Sequence, residues 1–263
     1  MRDRMIPWSD SDRVAIVAAH PDDEAIGAGG HFPQLRSAMF IHVTDGAPRN
    51  GRDAAALGFG SPHEYARARA DELAAALALA EIDKTQCREA GMVDQESSFQ
   101  LCRLTYCLVD FFRDRQTTAV LTHPYEGGHP DHDSTAFAVR AACRLIEKDG
   151  ATPPEVIEFT SYHNRNGEIE VGRFLPGSGG AGAGIDLSEA LRDLKRRMFD
   201  CYTSQRQVLE IFPIESERFR RAPVYDFTQP PHAGELHYER FDWGMDGALW
   251  RDLAAQAALR LAL

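Results

Sequence analysis

The sequence lacks the features of several common classes of protein. Its 263 residues include five cysteines, an odd number without a C-x-x-C pair, which argues against both a disulfide framework and a cysteine-built zinc site. No run of about 18 apolar residues occurs, so no membrane-spanning helix is expected. No local basic stripe offsets the formal net charge of -11, and this charge disfavours nucleic acid and anionic membrane surfaces as partners.

The ends of the chain and its charged segments add little to this picture. Residues 1–12 are polar and mixed in charge, without the apolar core of a signal peptide, so we expect a soluble, cytoplasmic protein. The densest basic stretch, residues 195–197, has acidic neighbours at helical spacing and is interpreted as a solvated helix face. The sequence leaves open whether the chain forms a homo-oligomer.

Short apolar runs alternate with segments of helical periodicity. The runs predict strands at residues 14–19, 39–44, 117–122 and 156–160, and the periodic segments predict helices at residues 61–82, 99–115 and 134–148. Strands that are apolar throughout are typical of a parallel sheet covered on both faces. The alternation therefore predicts an α/β fold, a three-layer sandwich with a mostly parallel, Rossmann-like sheet.

The C-terminal third is less regular. Residues 1–263 are interpreted as a single domain, with a less typical portion over residues 174–263 that packs on it and ends in an alanine-rich helix. The glycine-rich stretch at residues 177–184 predicts a flexible loop, and a role as a lid stays open. A phosphate cradle is disfavoured there because no Gly-Lys-Ser/Thr follows.

Two motifs that can carry chemistry each follow a predicted strand. The first, His-Pro-Asp-Asp-Glu at residues 20–24, offers one imidazole and three carboxylates, which are zinc-compatible ligands. The second, His-Pro-Asp-His at residues 129–132, places two histidines at a proline-initiated helical turn, so both imidazoles can face one pocket. Because sites in open α/β sheets form at the carboxyl ends of strands, the motifs would meet if their strands are neighbours.

In this order, the two motifs resemble those of the PIG-L/LmbE family of zinc-dependent deacetylases. That family removes N-acetyl groups from glucosamine-containing substrates such as glycolipid, mycothiol and bacillithiol precursors. The alternation of strands and helices extends the resemblance over residues 13–161, whereas the C-terminal third is only weakly similar. The resemblance implies an LmbE-like sheet and a metal-dependent active site.

The resemblance also implies the metal ligands. These would be His20, Asp23 and His132, a set of two imidazoles and one carboxylate. Such a set leaves a coordination position open for water and substrate, which distinguishes a catalytic zinc from a structural one. Zinc is the expected cofactor, and mixed nitrogen and oxygen ligands also tolerate Fe²⁺ or Co²⁺.

Catalytic roles follow from the same resemblance. Asp22 would act as the general base, and His129 would polarise the oxyanion or protonate the leaving amine. Asp131 would orient His129 or tune its charge, since a neighbouring carboxylate favours imidazolium. Glu24 would support these groups or cap a helix.

Weaker matches concern the substrate. Arg69 resembles a family arginine that faces the sugar or its phosphate, and a solvated helix face remains the alternative. Asp94 corresponds to a family aspartate that holds substrate hydroxyls, and residues 44–46 form another strand-end loop that would line the pocket. Since such contacts exist before and during the reaction, replacing Arg69 with Ala is expected to raise KM and leave kcat nearly unchanged.

The combined features predict a hydrolase that removes an N-acetyl group from an amino-sugar substrate through a zinc-activated water, acting on a linear, non-peptide amide. An amidase for another N-acyl or thiol-conjugate substrate is an alternative, because pocket depth is not visible in the sequence. A catalytically silent sugar-binding protein is a third interpretation. The presence of Asp22 and His129 argues against it, since a binding protein has no evident need for them.

Overall fold

The computed structural model describes residues 8, 9, 11–177 and 179–263. The strands are β1 (Val14–Ala18), β2 (Met39–Thr44), β3 (Cys87–Met92), β4 (Ala119–Thr122), β5 (Glu155–Phe159), β6 (Tyr162–Arg165), β7 (Glu168–Val171), β8 (Ala183–Asp186) and β9 (Ser216–Arg221). The α-helices are α1 (Asp23–Ala28), α2 (Arg52–Ala56), α3 (Pro62–Ala78), α4 (Leu101–Asp114), α5 (Pro130–Lys148), α6 (Glu189–Cys201), α7 (Arg206–Leu209) and α8 (Gly247–Arg260). Short 3-10 helices lie at Gly29–Gln34, Lys84–Gln86, Ser97–Gln100, Thr203–Gln205 and His237–Arg240.

Seven of these strands form one sheet, in the order β3-β2-β1-β4-β5-β9-β8. The pairs from β3 to β5 are parallel, and β9 and β8 continue the sheet in antiparallel orientation. Strands β6 and β7 form a separate hairpin. The predicted α/β fold with a mostly parallel sheet is confirmed. Strands β1 and β4 are neighbours, with Val17 opposite Thr122, so the loops that follow them begin at the same edge.

The helices cover both faces of this sheet. Ile16 of β1 packs in a cluster with Phe40 and Leu77 on one face, while the adjacent Val17 packs with Leu104 of α4 and Val139 of α5 on the other. All five residues of β1 are buried, which explains why its sequence is apolar without alternation. Each valine or isoleucine side chain of β1 stabilises the fold by about 1.5–3 kcal/mol when fully buried.

The predicted strands and helices agree with the structure to within a few residues, and the largest differences, of four residues each, are at the end of α3, which stops at Ala78 rather than at residue 82, and at the start of α5. This helix begins at Pro130 rather than near residue 134, with His129 as its N-cap. The second motif is therefore the first turn of a helix. Of the glycine-rich stretch, Ser178 lies outside the described residues, and Ala183–Asp186 forms the edge strand β8. The described residues 177 and 179–182 are outside helices and strands, as predicted, whereas Ala183 and Gly184 pair with β9, so the prediction of a loop is wrong for these two.

The part of the chain after residue 174 is joined closely to the rest. It supplies β8 and β9 to the main sheet, and Trp250 of α8 is fully buried. The indole Nε1 of Trp250 lies 3.2 Å from both the carbonyl oxygen of Pro130 and the hydroxyl of Ser134. Helix α8 thus fixes the first turn of α5. None of the described helices is long and apolar enough to cross a membrane.

Lys195 on α6 corrects another expectation. Its side chain is buried rather than solvated, and Nζ donates to the carboxylate of Glu217 at 2.7 Å and to the carbonyl oxygen of Ile26 at 2.8 Å. Glu217 also accepts from the backbone N–H of Gly30 at 2.7 Å and lies 2.5 Å from Nδ1 of His31. A buried lysine requires such a partner, and this network joins α6 and β9 to the segment that follows the first motif.

Candidate active site

The loop after β1 has an unusual backbone conformation at Asp22. Its φ of 137° lies in a region that residues other than glycine rarely adopt and that costs about 1–3 kcal/mol. Neighbouring contacts hold it there: the N–H of Asp22 donates to the carboxylate of Glu24 at 3.1 Å, and Arg69 donates to the carbonyl oxygen of Pro21 at 2.7 Å. The loop turns Asp22 and the adjacent Asp23 toward the same edge of the sheet.

Three side chains from the two motifs converge at this edge. Nδ1 of His20 lies 3.1 Å from Oδ2 of Asp23, and Nε2 of His132 lies 3.2 Å from the other Asp23 oxygen. Ligands of a tetrahedral metal with bonds of about 2.0–2.1 Å lie about 3.4 Å apart, so the donor set fits a divalent cation. Burial lowers the pKa of His132 to about 4. Although burial opposes it, the imidazoles of His132 and His123 hold the pKa of Asp23 well below its usual range. These are the protonation states that bind metal.

The second ring nitrogen of His20 faces carboxylates. Its Nε2 lies 3.2 Å from Asp94 and 3.3 Å from Asp131. Asp131 is itself held by the backbone N–H groups of Gln95 at 2.7 Å and Ser97 at 3.1 Å, and by the Ser97 hydroxyl. A histidine that binds metal through one nitrogen usually donates its other N–H to a carboxylate, which fixes the ring and its tautomer. Although burial opposes it, the nearby carboxylates raise the pKa of His20 well above its ordinary value.

A second group of donors shares His20. Ligand atoms of His20, Asp94, His129 and Asp131 also lie within 4.8 Å of one another. In this group Asp131 already accepts hydrogen bonds from two backbone N–H groups and a hydroxyl, so its lone pairs are largely used. We therefore favour His20, Asp23 and His132 as the metal-binding set, with Asp94 and Asp131 orienting His20.

His129 contacts Asp131 differently from the sequence-based expectation. Its Nδ1 accepts the backbone N–H of Asp131 at 3.1 Å, whereas the Asp131 carboxylate lies 3.8 Å away. Burial, together with the neighbouring His20 ring, lowers the pKa of His129 well below its ordinary value. The Asp131 carboxylate raises this pKa, as expected from the sequence, but burial and the His20 ring outweigh it, so the imidazolium form is not favoured. From this hydrogen bond we infer a neutral ring with its proton on Nε2, a form that can donate to a developing oxyanion.

Replacing His129 with Ala is expected to lower kcat by about 10²-fold or more, the scale of losing one oxyanion donor. The metal content should be unchanged because His129 is outside the proposed ligand set. Steady-state kinetics on variants of measured metal content test this, with the exposed His63→Ala as the matched control. If the His129 variant kept nearly full kcat, this role would be wrong.

Arg69 is buried, with 4% of its surface exposed. Its Nη2 donates to Oδ2 of Asp22 at 3.0 Å as well as to Pro21, and Nη1 donates to the carbonyl oxygen of Gly46 at 2.8 Å. The solvated helix face proposed as an alternative is wrong. The terminal guanidinium nitrogens already donate to protein oxygens, which also leaves little capacity for the predicted contact with a substrate phosphate. Burial raises the pKa of Asp22 to about 8, and Arg69 opposes this rise.

Two other residues have clear supporting positions. Glu24 is fully buried and accepts from Nε2 of His42 at 3.0 Å and from the hydroxyl of Tyr202 at 2.5 Å. His123 accepts the N–H of Ala19 at 3.1 Å and stacks on the ring of His132 at 4.0 Å. Glu24 and His123 therefore hold the loop and the ring of a candidate ligand rather than facing substrate.

A cavity of about 170 Å³ opens above these side chains. Its lining includes the candidate ligands, Asp22, His129, Arg69, Asp94 and, from the loop after β2, Gly46. It also contains Tyr162, Gln205, Val208 and Trp243, which the sequence interpretation did not identify. These four come from segments without a recognisable motif, and no spacing in the sequence associates them with residues 20–24.

The comparisons with known proteins agree with this geometry. The model of the PIG-L family, described as GlcNAc-PI de-N-acetylase, matches residues 15–143, which include both motifs. The resemblance predicted from those motifs is confirmed. A search of the curated proteins gives no match.

Solved structures share the fold at low sequence identity. The zinc-inhibited form of teicoplanin deacetylase is 16% identical with a TM-score of 0.58, over 81% of this chain and 100% of that one. The N,N'-diacetylchitobiose deacetylase of Pyrococcus horikoshii is 21% identical with a TM-score of 0.57, over 82% and 86%. The 4-carboxy-2-hydroxymuconate hydratase of Pseudomonas putida is 16% identical with a TM-score of 0.54, over 81% and 98%. Since a hydratase shares it, the fold alone does not determine the reaction.

Proposed function

We propose that this chain, of which residues 15–143 match the model of the PIG-L family, is a metal-dependent N-deacetylase acting on an amino-sugar substrate, with zinc as its metal. One observation carries the proposal: the candidate ligands His20, Asp23 and His132 share a single cavity with Asp22 and His129. This combination provides a metal site, a base and a hydrogen-bond donor, which amide hydrolysis requires.

The reaction needs a nucleophile, stabilisation of the oxyanion and a proton for the leaving amine. A divalent metal bound at this site supplies an acidified water and acts as a Lewis acid toward the amide oxygen. Asp22, adjacent in sequence to Asp23, accepts the proton of the attacking water and returns it to the departing nitrogen. His129 donates from Nε2 to the oxygen that becomes negative.

The arrangement of carboxylates around His20 supports this proposal further. Asp94 and Asp131 hold the ring so that Nδ1 faces Asp23 and His132. A ring held in this way costs little reorganisation when the metal binds. The cavity volume of about 170 Å³ accommodates the acylated end of a sugar and leaves the remainder of a larger substrate at its mouth.

The direct test of this function is a panel of N-acyl amino sugars and non-sugar amides offered to the zinc-loaded protein, with release of free amine as the readout. The proposal predicts release from N-acetylated amino sugars above all other members. Preferential cleavage of thiol-conjugate or long-chain amides would instead support the alternative amidase. Failure to cleave any member, with metal bound, would support a sugar-binding protein.

The metal site has its own prediction. Purified protein is expected to bind about one zinc per chain, and His132→Ala should lose most of it because two ligands hold the ion much less tightly than three. Elemental analysis of both proteins measures this, with His63→Ala as the control for removal of an exposed histidine. Unchanged metal content in the His132 variant would contradict the ligand assignment, and iron or cobalt in place of zinc would revise only the metal.

A further inference from the structure

We propose that the substrate of this site is an uncharged N-acyl amino sugar, bearing no phosphate, which binds against the indole ring of Trp243. The inference rests on the proposed function and adds the class of sugar that the pocket selects. Three observations carry it: the charge of the cavity lining, the hydrogen bonds of Arg69, and the stacked aromatic pair at the mouth.

The lining of the cavity is acidic. It contains four aspartates and, among its side chains in the described part of the chain, a single arginine or lysine, Arg69; the aspartates are Asp22, Asp23, Asp53 and Asp94. The lining thus offers an anion four carboxyl groups and a single guanidinium. A phosphate placed in the same cavity would be repelled by each ionised carboxylate and would have only Arg69 as a strongly basic partner.

Arg69 cannot offset this repulsion without losing its own bonds. Its Nη groups donate to the carbonyl oxygens of Pro21 and Gly46 and to the carboxylate of Asp22. A phosphate is usually bound by arginine through two parallel hydrogen bonds, and here both terminal nitrogens have protein partners. Arg52 is adjacent in sequence to Asp53 but is exposed and is not part of the cavity lining. Its Nη1 lies 3.7 Å from a carboxylate oxygen of Asp242.

The cavity mouth instead offers an apolar face. The ring of Trp243 lies 4.7 Å from that of His129 and stacks on Phe241 at 4.5 Å with an interplanar angle of 10°. Phe241 is 43% exposed, and Val208 on the rim is 47% exposed. Phe241 covers one face of the Trp243 indole and holds it in place, and the part of the indole that lines the cavity is a flat, rigid apolar surface that suits the C–H face of a sugar ring.

Hydroxyl groups of that ring have suitable partners on the remaining walls. Asp94, Gln95 and Gln205 line the same cavity, and the Asp94 carboxylate that holds His20 through Oδ1 has a second oxygen. A few polar groups on an otherwise apolar wall are typical of sites that fix the orientation of a neutral ligand. The cavity lining therefore suits an uncharged sugar ring whose hydroxyl groups lie at its edge.

The charge preference is tested with the zinc-loaded protein and three sugars: N-acetylglucosamine, its 1-phosphate and its 6-phosphate. The two phosphates occupy different sides of the ring, so one of them enters the cavity in any orientation of the sugar. We expect kcat/KM for the sugar whose phosphate enters the cavity to be at least about tenfold below that of the neutral sugar, mainly through KM. Equal or faster turnover of both phosphorylated sugars would overturn the inference while leaving the deacetylase function intact.

A pair of matched variants links that preference to the cavity. Val208→Lys adds a cation at the rim of the cavity. It should reduce the ratio of kcat/KM for the neutral sugar to kcat/KM for the phosphorylated sugar by about threefold or more. Val224→Lys adds the same charge at a valine that is 84% exposed and outside this lining, and should leave this ratio unchanged. If both variants reduced this kcat/KM ratio equally, the overall charge of the protein rather than the cavity would determine the preference for neutral sugars. That result would overturn the proposal.

The aromatic surface is tested by replacing Trp243. Trp243→Ala should raise KM for the neutral sugar by about three- to tenfold, the scale of one aromatic contact, whereas Trp243→Phe should restore most of it. Tyr106→Ala, at a tyrosine that is 53% exposed and outside the cavity lining, is the control. A loss confined to kcat would show that Trp243 acts by holding His129, and would contradict its role as a sugar-binding surface. If none of the sugars were cleaved by the native protein, the proposed function would fail and this inference with it.

Discussion

Replacing Asp22 with Asn is expected to lower kcat by at least about 10²-fold while the metal stays bound, because an amide cannot accept the proton of the attacking water. Asn is nearly isosteric with Asp and tolerates positive φ better than most residues, so it can occupy the strained backbone at φ 137°. Its amide oxygen can still accept from Arg69. The variant therefore removes the base with little change in the loop.

Rates at saturating substrate and metal content, measured on the same preparation, separate this effect from loss of the site. Asp110→Asn, at an exposed carboxylate on α4, is the matched control and should retain normal kcat and metal. An Asp22→Asn protein with metal bound and nearly full activity would show that another group takes the proton.

Replacing Arg69 with Ala is expected to lower the free energy of unfolding by about 3–5 kcal/mol, since breaking a buried ion pair leaves an uncompensated charge. It should also lower kcat, because Arg69 holds both the Asp22 carboxylate and the carbonyl oxygen of Pro21. This revises the expectation from the sequence, in which the loss appears in KM alone. The reason for the change is that the contacts of Arg69 are made to the candidate base and its loop.

Two further variants make the prediction specific. Arg69→Lys keeps the positive charge but loses the planar guanidinium that donates to several acceptors at once. Compared with Arg69→Ala, it should restore part of the free energy of unfolding and a smaller part of kcat. Arg67→Ala, at an exposed arginine on the same helix, should change neither. A raised KM with unchanged kcat and unchanged unfolding midpoint in Arg69→Ala would return Arg69 to the substrate-binding role.

The parts of the fold and site that the sequence predicted are those with a local signal. The apolar runs of β1, β2, β4 and β5 reveal strands buried on both faces, and each motif lies in the segment that follows one of these strands, β1 or β4. Because β1 and β4 are parallel neighbours, the segments that carry the two motifs begin at the same edge of the sheet. The proximity of His20, Asp23 and His132 therefore follows from short-range patterns combined with one rule of α/β topology.

Other features depend on contacts between distant segments. Arg69 and Lys195 have the spacing of solvated helix residues, and only the folded chain shows that their partners are Asp22 and Glu217. The edge strand β8 is glycine-containing and resembles a loop until β9 pairs with it. Trp243 reaches the cavity from the far end of the chain, and no periodicity or spacing could have indicated that.

The measurement that tests the account most directly follows N-acetylglucosamine with the native protein, the chelator-treated protein and the protein after zinc is restored. The account predicts equal amounts of acetate and free amine from the native protein, almost none after chelation, and recovery when about one zinc per chain is bound again. Cleavage that continues unchanged in the metal-free protein would contradict the assignment of His20, Asp23 and His132 as a catalytic metal site.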